Sequence, residues 1–185
     1  MAPLSDAHTD TFIHNYFQPY DASAALKALI RERTAGNPFF VEEMLRTLQE
    51  RALIVLQDDV YVLPPHVPLA IPSSVHGVLA ARIDRLPAVE KRLLQVAAVI
   101  GLEVPLSLLC SMADLSDEAL HRGLIHLQAA EFLYELRRVP ECVYTFKHVL
   151  TREVVHKSLL RTQRYALHAR LVEAMAARSA DRPTK

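Results

Sequence analysis

The spacing of apolar positions changes period several times along this chain. At Val41, Met44, Leu45 and Leu48 apolar residues recur at i, i+3, i+4 and i+7, one face of a helix ending near Arg51. Glu42 and Glu43 lie in its first turn and Arg46 and Arg51 further on, as the helix dipole prefers. Ahead of it, Ala24, Ala25, Leu26, Leu29 and Ile30 mark another helix, with Asp21 and Ser23 as N-cap candidates and an end at Thr34-Ala35-Gly36. Gly36 suits the positive φ of a helix end, and Pro38 the first turn of the next helix. Residues 1–20 show no period and read as a loose entry segment.

The period then turns extended. Leu53–Leu56 and Val60–Leu63 flank the polar Gln57-Asp58-Asp59 and predict a small hairpin. Pro64, Pro65, Pro68 and Pro72 predict an extended linker. Helical spacing returns after Ser73-Ser74, at Val75, Val78, Leu79, Ile83 and Leu86; Pro87 stops that helix and starts another, through Val89, Leu93, Leu94, Ala97 and Ile100, which Gly101 ends. A short helix at Pro105–Ala113 and one capped by Ser116, with Leu120, Leu124 and Leu127 inward, come next. Phe132–Leu136 and Cys142–Phe146 read as strands around a turn at Val139-Pro140-Glu141. Three helices followed by a two-stranded hairpin is the order of a winged helix. Helices at 149–160 and 162–178 close the chain before a polar tail at 179–185.

The expected fold is therefore mainly α. It comprises the loose segment 1–20, a helical region with a small β-hairpin at 21–86, a winged-helix domain at 87–147 and a terminal helical pair at 148–178. Composition agrees: 51% of residues are hydrophobic, enough for a core, and only 4 are Gly. The 21 basic and 21 acidic residues cancel, so no global nucleic-acid or anionic-membrane surface is indicated. Cys110 and Cys142 form no CxxC and read as reduced cytoplasmic thiols. The most apolar stretch, Leu93–Cys110, is broken by Gln95, Glu103 and Pro105, which argues against a membrane span.

Five phrases carry a family resemblance: Gly36-Asn37-Pro38-Phe39-Phe40-Val41-Glu42-Glu43, Ile71-Pro72-Ser73-Ser74-Val75, Ala80-Ala81-Arg82-Ile83-Asp84-Arg85-Leu86-Pro87, Leu94-Gln95-Val96-Ala97-Ala98-Val99-Ile100-Gly101 and Tyr144-Thr145-Phe146-Lys147-His148. In this order they resemble the AAA-type STAND ATPase modules fused to bacterial class III adenylate or guanylate cyclases and found in large transcriptional regulators. The resemblance spans residues 22–178. It implies a helical lid and a winged helix that ordinarily follow a P-loop core and precede helical repeats. These 185 residues hold no Gly-rich loop ending in Gly-Lys-Ser/Thr and no apolar strand ending in an acidic pair. The expectation is a regulatory portion that does not hydrolyse ATP alone and binds no cofactor by itself. ATP or ADP would bind in a parent protein that supplies the core.

The resemblance implies nucleotide-sensing roles for four residues. The family's Gly-x-Pro element maps onto Gly36, Asn37 and Pro38, the proline packing on adenine; an ordinary break between helices is the alternative. The family's phosphate-touching histidine maps onto His148, where the alternative is a cap on the following helix. Val149 stands where the better-known Met-His-Asp version has an acid, which leaves that role open. The nine histidines show no metal-ligand spacing, no catalytic triad can be argued, and adjacent Glu42 and Glu43 diverge around their helix.

Three functions compete. The first is a nucleotide-state switch partnered by a P-loop core and helical repeats. The second is a protein-interaction or self-association module, using a stripe of Leu167, Leu171, Ala174 and Met175. The third is duplex DNA binding, which the acidic start Asp117-Glu118 of the would-be recognition helix opposes; Arg137, Arg138 and Lys147 alone favour it.

Overall fold

The computed structural model describes residues 3–64 and 74–180. The chain divides into two compact units after Arg82, four residues before the boundary expected from the sequence.

The first unit holds α1 (Asp6–Phe17), β1 (Asp21–Ala22), α2 (Ala24–Thr34), α3 (Pro38–Glu50), β2 (Val55–Gln57), β3 (Val60–Val62) and most of α4 (Val75–Asp84). Helix α1 corrects the expectation of a loose segment at 1–20. Ser5 caps it by accepting from the His8 N–H, and Thr9, Ile13 and Phe17 are buried at a spacing of four. One of the three is a threonine, so the stripe is too sparse in apolar residues to announce itself. Ser23 caps α2 as expected, accepting from the Leu26 N–H, and Ala35 ends it in the left-handed region. All four apolar residues predicted for the α3 face are fully buried. They share a core with Ile13, Phe17, Leu26 and Ile30. Helix α3 ends by a pair of reversed bonds, Leu53 N–H to the Leu48 carbonyl and Ala52 N–H to that of Gln49, with Ala52 at φ 49°.

The predicted hairpin is present as β2 and β3, antiparallel with Leu56 opposite Tyr61. Strand β1 adds parallel to β3, giving the order β1-β3-β2. Tyr61 carries the sheet onto the helices by stacking on Phe17 at 4.5 Å. The proline-rich linker and the Ile71-Pro72-Ser73 part of its phrase lie outside the described residues, except Pro64 and Ser74. Ser74 caps α4 by accepting from the Gly77 N–H at 3.2 Å. Arg82 on α4 is buried and pairs with the buried Glu43 of α3, and more distantly, at 3.4 Å, with Glu50.

The second unit holds α5 (Ala88–Ile100), β4 (Glu103–Pro105), α6 (Leu106–Ala113), α7 (Asp117–Ala129), β5 (Leu133–Arg137), β6 (Val143–Phe146), α8 (Val149–Ser158) and α9 (Arg161–Ala180). The order helix, strand, helix, helix, strand, strand, with the sheet running β4-β6-β5, is that of a winged helix. Strand β4 is the element the sequence did not announce. Three residues ending in Pro105 give no period, and it exists because β6 offers an edge, with Val104 opposite Tyr144. The core is built from Leu93, Leu94 and Ala97 of α5, Leu109 and Met112 of α6, Leu124 and Leu127 of α7, and Val143 of β6. Gly123 lets α7 approach α5 closely, since a Cβ there would run into the Leu93 side chain. The fold is mainly α throughout.

Candidate functional site

The sequence nominated two places, and each belongs to a different unit. Gly36, Asn37 and Pro38 join α2 to α3 in the first. Gly36 adopts φ 71°, the positive value expected of it. Its N-terminal neighbour in space is Leu4, whose N–H donates to the Gly36 carbonyl at 2.7 Å. A Cβ on Gly36 would run into the Leu4 backbone. Gly36 is therefore buried, and the N-terminal segment covers it. Asn37 is exposed, but its side-chain oxygen caps α3 by accepting from the Phe40 N–H at 3.1 Å. Pro38 is half-buried at the first turn of α3. This geometry is that of a capped break between helices, one of the two alternatives the residues left open. Pro38 is the member of the triplet whose ring keeps partial access to solvent without a cap to maintain.

His148 presents a different picture. Strand β6 ends at Phe146, and Lys147 extends its pairing by donating its N–H to the Phe132 carbonyl at 3.1 Å. His148 then takes the N-cap position of α8 in extended conformation, and its side chain makes no capping bond to that helix. It lines a cavity of about 470 Å³ together with Gln128, Glu131, Leu133, Tyr134 and Lys147. That volume lies in the ~300–1,000 Å³ range of small-molecule sites. The cavity forms where α7 gives way to β5. Helix α7 ends with Phe132 N–H bonded to the Leu127 carbonyl and Glu131 N–H to that of Gln128, the same termination as α3. Glu131 occupies the left-handed position of that motif at φ 56°, where glycine is usual. Its carboxylate pairs with Lys147, and both side chains line the cavity. The sequence nominated His148 but not Glu131. A glutamate one residue past a helix carries no periodic signal, and only the sheet brings it to Lys147.

The remaining charges of the wing are paired as well. Arg137 lies 3.4 Å from Glu103, and Arg138 bonds Glu135. The pairing holds the Arg138 guanidinium above its ordinary range, with the Glu135 hydrogen bond as the main cause. On α7, Arg122 lies 3.9 Å from Glu118. The cations counted in favour of duplex binding thus each face an acid of their own chain.

Elsewhere in this unit the buried Glu90 of α5 accepts from His126 of α7 at 2.6 Å, and that hydrogen bond holds the Glu90 carboxyl below its ordinary value against the opposing effect of burial. Burial pushes the Cys110 thiol up, and both cysteines are unbridged. Among the described residues, no group of three or more His, Cys, Asp or Glu side chains could hold a metal ion. No helix among them is long and apolar enough to cross a membrane.

Comparison with known proteins adds two findings. A family described as a domain of unknown function (DUF8739) matches residues 20–61. That interval runs from the turn before β1 into β3 and contains the Gly36–Pro38 break. An uncharacterized protein (R02095) of Rhizobium meliloti (strain 1021) is 30% identical over 151 residues, which is 78% of this chain. The aligned part is 14% of that relative, so the chain spans about a seventh of its length.

Proposed function

We propose that this chain is a nucleotide-state-sensing regulatory part of a STAND-type signalling ATPase, with the phosphate-binding core and the catalytic output supplied by other segments or partners. One observation carries this reading. In a unit of winged-helix order, the last sheet strand delivers a histidine, uncommitted to capping, into a cavity of small-molecule size. An imidazole there can donate to a phosphate oxygen and changes charge near neutral pH. The five phrases supply the nucleotide, ATP or ADP, and the two-state logic: a ligand shifts the conformational balance only as far as it prefers one state. The length of the Rhizobium meliloti relative supports a larger architecture around a region of this kind. The reading places the protein in the cytoplasm, where ATP is abundant and Cys110 and Cys142 stay reduced.

Calorimetric titration of the isolated chain with ATP and ADP tests the division of labour. Little or no heat is expected, because the groups that grip the triphosphate lie elsewhere. Micromolar affinity for either nucleotide would overturn the proposal that the core is separate.

A second reading, protein interaction, has its own support on α9. Of the stripe nominated for it from the sequence, Leu167, Leu171 and Ala174 are half-buried within their own unit and Met175 is exposed. Tyr165, Val172 and Met175 are large apolar side chains of α9 that are more than half exposed. Light scattering on the eluting protein separates the two cases, since a clean monomer at high concentration counts against self-association through this face. The charge pairing on the wing weighs against duplex binding.

A further inference from the structure

The cavity that holds His148 is also lined by a pair of opposite charges, Glu131 and Lys147. Their backbones are fixed by different means. Glu131 is locked in the reversed end of α7, and Lys147 in the continuation of β6. Neither side chain is deeply buried, with 32% of Lys147 and 43% of Glu131 exposed. An ion pair this wet contributes little net stability, because water competes for both partners. Holding the α7–β5 junction together therefore does not explain why a carboxylate stands at a left-handed position that glycine fills at lower cost. Lys147 and Glu131 carry opposite formal charges, while His148 and Tyr134 are the other titratable groups lining the cavity. An ammonium beside an imidazole suits an anion, and Glu131 is the anion already in place.

We propose that Lys147 is a second phosphate contact of the His148 cavity and that Glu131 is its internal competitor. A phosphate group arriving at His148 takes Lys147 from Glu131, and the displaced carboxylate, which lines the same cavity, repels it. The two effects keep phosphate affinity low unless other contacts raise it. A regulatory site needs this property if it is to respond to nucleotide held by a separate core rather than to any soluble phosphate. The inference rests on the nucleotide reading of His148 given above.

Titration of the whole chain with inorganic pyrophosphate, followed by the His148 and Lys147 amide and imidazole resonances, tests it. Wild type is expected to show weak binding with His148 shifted. Glu131→Gln, which removes the charge and keeps the shape, should bind about five- to tenfold more tightly, the size of one like charge withdrawn from a partly wet site. Lys147→Gln should weaken binding and abolish the gain from Glu131→Gln. Glu131→Gly, which also relieves the left-handed backbone, gives the same sign and serves if the amide variant folds poorly. Equal affinity in wild type and Glu131→Gln, with His148 shifted in both, would overturn the competitor role and leave the phosphate reading standing. No shift at His148 in either protein at millimolar pyrophosphate would overturn both.

Discussion

Arg82→Met keeps much of the buried stem of Arg82 and deletes its charge, so it separates the Arg82–Glu43 ion pair from packing. The two side chains are 3% and 5% exposed, and they lie on different helices, α4 and α3. Glu50, a second acid near Arg82, is 42% exposed and contributes little by comparison. With the guanidinium gone, the Glu43 carboxylate stays buried without its counter-ion, which costs about 3–5 kcal/mol. Set against the ~5–15 kcal/mol total stability of an ordinary domain, that is a large fraction. In a unit of this size each kcal/mol moves the melting temperature by about 4–8 °C, so the loss should reach about 12 °C or more. Glu43→Gln should act in the same direction but less, because an amide still accepts a hydrogen bond. Glu43→Leu combined with Arg82→Met should recover to within about 1 kcal/mol of wild type, or exceed it, because the desolvation penalty then disappears on both sides. Urea unfolding of these variants and of Glu43→Leu alone, followed by far-ultraviolet circular dichroism, closes the Arg82→Met/Glu43→Leu cycle, with tyrosine fluorescence as a second probe since the chain has no tryptophan. A coupling energy of about 2 kcal/mol or more is expected from the cycle. Additive single losses, with the double variant worst of all, would refute the reasoning.

Two further outcomes follow from the geometry. Gly36→Ala forces a Cβ into the Leu4 backbone at a positive φ, so thermal melting should show a loss of about 2–4 kcal/mol, whereas Asn37→Asp, which keeps the cap, should stay near wild type. Burial, aided by Arg152, Arg164 and His168, pulls His156 below its ordinary value of 6.5. The unfolded chain then binds that proton more readily, so stability present above the ordinary value is lost as pH falls through the lowered one. Melting between about pH 7 and about pH 5 should fall in wild type and fall less in His156→Gln, with Glu90 adding a second loss below its ordinary value of 4.5.

The parts of this fold legible in the sequence are those set by local spacing. The face of α3, the caps at Ser23 and Ser116, the two hairpins and the positive φ of Gly36 each follow from residues within a few positions of one another. What stayed hidden is set by distant partners. Strand β4 exists only beside β6, and α1 buries a threonine in place of a third apolar residue. The quoted phrases contain Glu43 and Arg82 separately, but nothing in either shows that they meet 39 positions apart in a dry interior. The candidate site divides in the same way. His148 was visible because it follows a strand and precedes a helix, while Glu131 needed the sheet to carry it to Lys147.

The matched family interval begins at residue 20, yet the helix before it supplies Ile13 and Phe17 to the same core and lays Leu4 on Gly36. A protein begun at that residue would keep the whole recognisable pattern while uncovering the floor on which it rests. The core of this unit begins upstream of the matched interval, and a fragment trimmed to that interval should behave as a loosened, aggregation-prone species rather than as a smaller version of the same domain.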